Sequence, residues 1–559
     1  MAIRLSRRQL FTGLAATALL SGCGNLNTSG GSKNQQNSSG GSTPGGSSGG
    51  KVSMLVAMDN GSPTFVKNFN PFSGGKRTAT NLIFEPLFVL NNIDGSLVPF
   101  LGEKYSQPDA KTITVTLRQG VKWSDGQDFT ADDVAFTFDY LKKTPAIDTG
   151  GVWQHLASVS TSGNTVTFHL KSQDVPAALI VLPTTIVPKH VWSSISDPAT
   201  NTSVSPVGTG PYTLGQFTAN EYRLEKNTSY YQADKVAADE LVLPASNTQL
   251  DLVKKPYDWA YAFITDVSKT WGDAHQGNTY WFPPGGTIAL MPNLTKAPFT
   301  STDFRLGLSA ALDRNKIANT AEQGYVQAAG ISGLILPNMQ KWLDPTLPNG
   351  GAASQDTSGA LNHFKAAGYH QQGGKLVDSS GKQVSLTLTT PNGWTDWLRG
   401  AQEVQRELQA VGIAVQLNQP QPAAYQQLLA NGSFDLIMGS FGGTGSVYMD
   451  FNNLLSSAFY TPVGKPTSAN FERYKNPKAD SLLDTLKTST AESDQMTAAH
   501  GLQQIMMKDM PVIPMFYGGL WGLFSTRQFT GWPSKDNAYA TPATWGNNPL
   551  LIVTNVKRA

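Results

Sequence analysis

Residues 111–143 read KTITVTLRQGVKWSDGQDFTADDVAFTFDYLKK and decide more about this chain than any other stretch. Their first half alternates apolar and polar side chains, because threonines separate Ile113, Val115 and Leu117. This period of two predicts a strand with one buried face. A glycine ends the strand, and Trp123 follows as an aromatic residue that we expect to be buried in a core.

The second half of the stretch carries the signals of a capped helix. Asp125 and Gly126 form a strong turn dipeptide. Thr130 can then serve as the N-cap, with Asp133 in the position that completes a capping box. Three apolar residues follow at helical spacing, namely Val134, Phe138 and Leu141. The stretch is therefore predicted to fold as strand, turn, aromatic anchor, turn and helix.

The same run of residues resembles a known family. Written as R-x-G-V-K-W-x-D-G-x-x-F-T-A-x-D-V-x-F-T/S, it is similar to the most recognisable segment of the family-5 solute-binding proteins of ABC importers, the oligopeptide and dipeptide type. A generic strand–turn–helix unit would explain the periodicity but not so many specified positions. Further passages resemble the same family, namely residues 68–72 (NFNPF), 85–87 (EPL), 208–212 (GTGPY), 227–231 (NTSYY) and 304–314 (FRLGLSAALDR).

The resemblance implies an α/β fold of the periplasmic-binding-protein type, a two-lobe clamshell with an additional domain (cluster C). On this basis we expect lobe I to be built from residues 51–88, 208–288 and 521–559. The additional domain II is expected at residues 89–207, and lobe III at residues 289–520. In lobe III, predicted strands alternate with predicted helices, which indicates a largely parallel sheet.

The family also implies a function. Its members capture a ligand between two lobes and deliver it to a membrane permease that works with cytoplasmic ATPases. The family-level ligand is an oligopeptide, and we expect no cofactor and no metal ion. The seven histidines are scattered, and the sequence has neither a zinc motif nor a complete P-loop, so no enzyme is expected. The alternative from another class is a lipid-anchored surface hydrolase or adhesin.

Length and composition place the chain among neutral, soluble proteins with several lobes. A chain of 559 residues is too long for one compact core. Charged residues make up 15% and aromatic residues 10%, and the formal net charge is +2. Since no basic patch is visible, a nucleic-acid partner is not expected. We expect a monomer whose partners are its ligand, an ABC permease and the membrane that holds its anchor.

The N-terminal region carries the marks of an exported lipoprotein. Residues 6–11 (SRRQLF) resemble a twin-arginine motif, and the apolar run that follows is too short to span a bilayer. Residues 20–23 (LSGC) resemble a lipobox, which predicts a signal peptide at residues 1–22 and a lipid on Cys23, the only cysteine. The general secretory route stays open as an alternative. Residues 23–50 form a lipidated, Gly/Ser-rich linker, so we expect the protein on the outer face of the cytoplasmic membrane, periplasmic or at the cell surface.

The ligand class is where the sequence departs from the family. Peptide-binding members place an acidic residue of a Gly-Trp…Asp-Tyr-x-D/E-P passage against the amino terminus of the peptide. Here residues 440–451 read SFGGTGSVYMDF, without that tryptophan or the Asp-Tyr pair, and only Asp450 offers a shifted substitute. The alternative ligand is a β-linked, cellobiose-like oligosaccharide, whose rings stack on aromatic planes. Residues 532–539 (WPSKDNAY) resemble the cello-oligosaccharide-binding branch of the family.

Most of the candidate ligand-binding residues come from loops that are less typical of the family, whereas Asn70 lies in the family-like NFNPF passage. Trp394 and Trp397 lie in a Gly-Trp-Thr-Asp-Trp loop, and Trp521 follows a predicted strand. For each tryptophan, the alternative is a place in a lobe core. The complete candidate set is Asn70, Trp281, Trp394, Trp397, Phe441, Tyr448, Asp450, Tyr517 and Trp521. We expect residues 111–143 to be scaffold, whereas the loops around Trp394, Phe441 and Trp521 select the ligand.

Overall fold

The computed structural model describes residues 51–59, 62–246 and 250–559. The predicted signal peptide, Cys23 and most of the linker lie outside the described residues. Three larger sheets of seven, five and four strands organise these ranges, and each is covered by its own cluster of buried apolar side chains. None of the helices in the described ranges is long and apolar enough to cross a membrane.

The seven-stranded sheet is assembled from distant parts of the chain. Its strand order is Asn278–Trp281, Gly522–Ser525, Trp259–Tyr261, Ser53–Ala57, Glu240–Pro244, Glu221–Lys226 and Tyr212–Phe217. The strand Ser53–Ala57 is parallel to both of its neighbours, whereas Gly522–Ser525 is antiparallel to both of its own. This discontinuous sheet forms lobe I, and the last part of the chain is needed to complete it.

The four-stranded sheet is antiparallel and belongs to the additional domain. Its strand order is Gly102–Asp109, Thr112–Leu117, Thr165–Leu170 and Leu156–Ser162. The predicted strand and helix of residues 111–143 are confirmed as Thr112–Leu117 and Ala131–Lys143. The Thr130–Asp133 capping box is present, and the Trp123 indole Nε1 donates to Oδ2 of Asp133 at 3.3 Å. Trp123 is fully buried, which confirms its predicted place in a core.

The five-stranded sheet forms lobe III and is largely parallel, as the sequence predicts. Its strand order is Ala414–Asn418, Ser385–Thr389, Leu436–Phe441, Pro284–Pro292 and Ile513–Gly519. Only Pro284–Pro292 runs against the others, because it is antiparallel to the strand on each side. The helices Thr395–Ala410 and Pro422–Asn431 form the crossovers between the parallel strands.

The remaining elements pack around these sheets. Two-stranded ribbons pair Phe88–Leu90 with Leu97–Pro99, His370–Gln372 with Lys375–Val377, and Phe529–Thr530 with Lys557–Arg558. The further α-helices are Val152–His155, Ala178–Val181, Lys189–Trp192, Leu250–Lys254, Thr302–Ala310, Arg314–Glu322, Thr357–Ala366, Val447–Leu455, Pro477–Thr488, Glu492–Asp509 and Asn548–Val553. Among the shorter helical turns, Thr78–Leu82 and Val175–Ala177 bear on the site.

Two crossovers join lobe I to lobe III. One leads from the strand Asn278–Trp281 into Pro284–Pro292, and the other leads from Ile513–Gly519 into Gly522–Ser525. The strand Pro284–Pro292 extends across residue 288, where the sequence places a boundary, and all of its pairing is with lobe III strands. The division into segments otherwise stays a prediction.

Three of the family-like passages meet at one buried carboxyl group. The hydroxyls of Tyr230 and Tyr231 donate to Oε1 of Glu85 at 2.8 and 3.1 Å. Burial raises the pKa of Glu85 from its ordinary 4.5 to about 8. The GTGPY passage packs alongside, because a Cβ on Gly208 would overlap the carbonyl oxygen of Ile83. All three passages lie in segments predicted for lobe I, and their contacts with one another make them scaffold of that lobe.

Candidate functional site

The carboxyl ends of the parallel strands from both lobes meet at the lobe junction. In lobe I, Tyr261 ends its strand opposite Gly522, where the second crossover arrives. In lobe III, Phe441 ends its strand opposite Thr287, close to the start of the first crossover strand. Ligands of open α/β sheets bind beyond the carboxyl ends of the strands. The cleft between these two edges is therefore the candidate ligand site.

The lobe I wall of this cleft is aromatic. Trp281 and Tyr261 both lie directly opposite Gly522, one on each side, so their side chains share one face of the sheet. Pro542 packs against the backbone of Gly522 between them. The ring of Trp545 meets Tyr261 edge to face, with centroids 4.2 Å apart, and 41% of Trp545 is exposed.

The crossovers carry a second, buried aromatic cluster. The ring of Trp521 lies 4.8 Å from Phe263 and 4.8 Å from Phe282, in both cases edge to face. Phe282 in turn contacts Tyr325 of lobe III at 5.8 Å. Trp521 is 6% exposed, so it packs the hinge rather than offering a broad open face.

The lobe III wall is a glycine-rich loop that Asp450 organises. The backbone N–H groups of Gly443 and Thr444 donate to the Asp450 carboxylate at 3.2 and 3.1 Å, and the Thr444 hydroxyl donates at 2.7 Å. Asp450 is buried, and burial raises its pKa from 3.8 to about 6 in spite of these donors. The carboxylate is thus held by its own loop, and we do not carry it forward as a contact for a peptide amino terminus.

The same loop touches residues 91–95, which begin the predicted additional domain. The Asn92 amide Nδ2 donates to the carbonyl oxygens of Gly443 and Thr444 at 3.3 and 3.2 Å. Gly95 approaches Gly445 so closely that a Cβ on Gly95 would overlap the Gly445 carbonyl oxygen. Glycines in place of the family's tryptophan therefore allow the two loops to dock backbone to backbone.

Tyr448 lies where lobe III meets the additional domain. Its helix neighbour Pro477–Thr488 packs against the turn Val175–Ala177 of that domain. Lys487 Nζ lies 3.9 Å from Oδ2 of Asp174 across this contact. Burial, together with the negative charges of Asp174 and Asp484, raises the pKa of Tyr448 to about 12. Tyr448 thus belongs to an interdomain contact beside the cleft.

The other predicted residues lie within single lobes. Trp394 and Trp397 contact each other edge to face at 4.9 Å and also pack near Tyr425, with Trp394 half-buried and Trp397 buried. Tyr517 is buried, and its hydroxyl donates to the carbonyl of Leu334 at 3.2 Å. It directly precedes the two glycines that end the strand Ile513–Gly519, where the second crossover begins.

Asn70 is committed to the fold of its own region. Its Nδ2 donates to the carbonyls of Pro198 and Asn201, each at 2.7 Å, and its Oδ1 accepts from the Phe72 backbone at 2.9 Å. The side chain is fully buried. Of the predicted set, the structure brings Trp281, Phe441, Tyr517 and Trp521 to the junction, with Asp450 and Tyr448 on its lobe III side.

Trp545 is the residue that sequence reasoning missed. Residues 541–549 read TPATWGNNP, a proline-flanked loop in which a tryptophan is followed by Gly-Asn-Asn. Such a composition is typical of an exposed turn, so an aromatic residue there was a usable signal. Within the described ranges, no group of three or more His, Cys, Asp or Glu side chains is arranged to hold a metal ion.

Comparisons with known proteins agree with this architecture. Residues 96–463 match the model of the bacterial extracellular solute-binding proteins, family 5 (middle). The peptidoglycan-binding protein YepA of Agrobacterium fabrum is 26% identical over 499 residues, which cover 78% of this chain and 80% of that protein.

Solved structures extend the likeness to almost the whole described chain. The periplasmic oligopeptide-binding protein of an oligopeptide ABC transporter from Thermotoga maritima is 26% identical, with a TM-score of 0.80, over 91% of this chain and 99% of that one. The mannohexaose-bound structure of the same Thermotoga protein gives 27% identity, the same coverage and a TM-score of 0.71. The narrower resemblance to the cello-oligosaccharide branch stays a prediction. The chain belongs to the bacterial extracellular solute-binding proteins of family 5, and it is a solute-binding receptor of an ABC importer with two lobes and an additional domain.

Proposed function

We propose that this receptor captures an oligopeptide between lobes I and III and presents it to the permease of its importer. The observation that carries the proposal is the cleft itself, where the strand ends of both lobes face each other and the 442–445 loop docks on Asn92. Support for a peptide comes from the Thermotoga relative, which is an oligopeptide-binding protein. The permease partner follows from membership in an importer family.

Lobe closure supplies the mechanism. The two crossovers are short, so they act as the hinge, and the aromatic cluster around Trp521 packs it. A ligand that touches both walls binds the closed form better than the open form and shifts the population toward closure. The permease then binds the closed form of the receptor, and this couples capture of the ligand to its delivery. Trp281, Phe441 and Trp545 are the proposed contacts in this cleft, and Trp394 and Trp397 are proposed at its lobe III rim.

An oligosaccharide is the second candidate ligand, and two observations favour it. The Thermotoga relative has been solved with mannohexaose bound. In addition, Asp450 is satisfied by its own loop, whereas Trp545 presents an exposed ring at the junction. Sugar rings stack on such aromatic planes without needing a charged partner.

The membrane arrangement is proposed from the sequence. Cys23 carries the lipid, residues 24–50 act as the tether, and the folded body works as a monomer outside the cytoplasmic membrane. A twin-arginine signal would export the chain already folded. Cys23→Ser is expected to release the protein into the soluble fraction, and continued membrane attachment of that variant would contradict the anchor.

The ligand class is tested on the purified protein. Native mass spectrometry of freshly isolated material is expected to show a bound peptide mass, and calorimetric titration with oligopeptides is expected to release heat. Titration with mannohexaose, cellobiose and longer cello-oligosaccharides is the matched arm. Heat with the sugars and none with the peptides would replace the first candidate by the second. Cleavage of either ligand during incubation would contradict a receptor that does no chemistry and would favour a surface hydrolase.

A further inference from the structure

We infer that Trp545, together with the amide oxygens of Asn81 and Asn548, forms a subsite for one uncharged sugar ring on the lobe I side of the cleft. The inference rests on the proposed receptor function. Of the two candidate ligands, oligopeptide and oligosaccharide, it favours the oligosaccharide at this position. It concerns a group of residues that come from opposite ends of the described chain.

Trp545 differs from every other tryptophan of the protein. All 12 lie in described ranges, and Trp545 is the only one classed as exposed, at 41%. Its ring stands edge to face with Tyr261, at an interplanar angle of 81°, so a second aromatic ring holds its orientation. A fixed, exposed indole at a lobe junction has the properties of a stacking platform for the C–H face of a pyranose ring.

Two asparagine side chains with a free acceptor belong to, or bind, the loop that carries this platform. The Asn81 amide Nδ2 donates to the carbonyl of Gly546 at 2.6 Å, and the Asn548 amide Nδ2 donates to Oδ1 of Asn92 at 3.1 Å. Because each NH2 group is fixed on an oxygen acceptor, the opposite Oδ1 atom is fixed as well. Within the ranges that the structure describes, neither Oδ1 atom has a hydrogen-bond partner, although Asn81 is only 7% and Asn548 only 8% exposed.

Unfilled buried acceptors require a donor, since a buried polar atom without a partner costs free energy. The hydroxyl groups around a sugar ring are such donors. The side-chain hydrogen bonds described for Asn81, Asn92 and Asn548 all join amide or carbonyl groups, with no charged side chain among the partners. The local chemistry therefore suits hydroxyl groups better than a peptide ammonium, which calls for a carboxylate.

The subsite is also connected to lobe III. Asn548 holds Oδ1 of Asn92, and Nδ2 of Asn92 donates across the junction to the carbonyls of Gly443 and Thr444. A hydroxyl group that binds Asn548 steadies this relay from lobe I to lobe III. Occupation of the subsite is thus expected to favour the docked arrangement of the two loops.

The test compares Trp545→Ala with a matched control. Tyr105→Ala removes another exposed ring, 39% exposed and edge to face with Phe88 at 5.2 Å, but on the additional domain and away from the junction. Calorimetric titration with mannohexaose and with cellohexaose is expected to show about tenfold weaker binding for Trp545→Ala. Tyr105→Ala is expected to match the wild type. Trp545→Phe, which keeps a ring, is expected to recover most of the affinity.

A second variant addresses the acceptors. Asn548→Ala removes the free Oδ1 and the contact to Asn92, and it is expected to weaken sugar binding severalfold. Thermal unfolding of each variant shows whether it is folded.

The outcomes separate the subsite from the receptor function. If the wild type binds a sugar and Trp545→Ala binds it equally well, the subsite is overturned and the receptor function stands. If the wild type binds oligopeptides and neither sugar, the sugar subsite is overturned, again with the receptor function intact. If neither class of ligand binds, both proposals fail.

Discussion

Residues 111–143 and the loop at residues 541–549 use the same residue type in opposite ways. Trp123, in the first region, is fully buried, and its indole nitrogen is bound to Asp133 ten positions away. Trp545, in the second, is 41% exposed and touches a ring that lies far away in the sequence. The first region identifies the family because its local contacts fix many residue types together. The second presents its tryptophan at the lobe junction, where a ligand can reach it.

The two buried carboxyl groups repeat this contrast. Glu85 lies where three family-like passages meet, and its donors are the tyrosines of another passage. Asp450 lies at the cleft, and its donors belong to its own glycine-rich loop. A carboxyl group that binds donors from a distant passage holds separate parts of the chain together. One that binds donors from its own loop fixes only the conformation of that loop. Four substitutions test this division between scaffold and site, each with its own control or comparison.

The largest effect is expected for Trp123→Ala. Removing a fully buried tryptophan leaves a cavity and an orphaned Asp133 contact, so the additional domain should lose about 3–5 kcal/mol of unfolding free energy. Urea denaturation followed by circular dichroism measures this loss. Trp545→Ala is the control and is expected to lose less than about 1 kcal/mol. Equal losses in the two variants would abolish the contrast between the two regions.

The next effect concerns pH. The folded-state pKa of Glu85, about 8, lies above its ordinary 4.5, so the folded protein holds a proton that the unfolded chain releases between these values. Stability from this group is therefore present at low pH and falls as pH rises from 5 to 8, by on the order of 3 kcal/mol.

Glu85→Gln isolates this contribution. Its amide oxygen still accepts from Tyr230 and Tyr231 but carries no titratable proton. Thermal unfolding across pH 5 to 8 is expected to show a flatter profile for the variant than for the wild type. Parallel profiles would mean that Glu85 is ionised throughout and that its site is not the buried scaffold described here.

A smaller effect is expected for Gly95→Ala, which places a methyl group against the Gly445 carbonyl where the loops dock. Undocking is expected to weaken ligand binding by about tenfold. Because Gly95 has a φ of 75°, the alanine is also expected to cost about 1–2 kcal/mol of stability. Gly163→Ala is the matched control, because that glycine also has a positive φ, of 56°, but has nothing within 4 Å. Equal affinities for both variants would show that the loop contact does not contribute to closure.

The smallest effect is expected for Lys487→Ala. The lysine faces Asp174 at 3.9 Å and is partly exposed, and such pairs contribute less than about 1 kcal/mol. Ligand affinity should fall less than about threefold, and the difference should vanish in high salt because exposed charges are screened. Lys143→Ala, which removes an exposed pair with Asp139 within one helix, is the control and should change no affinity. A large, salt-independent loss at Lys487 would assign it to the ligand site itself.

Three features could be predicted from the amino-acid sequence: the family, the two-lobe fold with an additional domain, and the local form of residues 111–143. The local form follows from short-range signals, since the alternation of Thr112–Leu117, the Thr130–Asp133 cap and the spacing of Ala131–Lys143 act between close neighbours in the chain. The family and the two-lobe fold followed instead from the resemblance of several motifs to that family. The parallel order of the lobe III strands was also predictable, because in that part of the sequence predicted strands alternate with predicted helices.

Two features could not be predicted from the sequence, namely which aromatic side chains are exposed and which groups contact Asp450. The exposure of a side chain depends on which distant part of the chain packs over it. Hydrophobic periodicity and turn residues carry no information about that distant part. The Asn548–Asn92 hydrogen bond joins residues 456 positions apart, and Trp545 and Tyr261 meet only because the last strand completes the lobe I sheet. Local signals in the sequence therefore predicted the scaffold, whereas the candidate ligand site is assembled only by long-range packing.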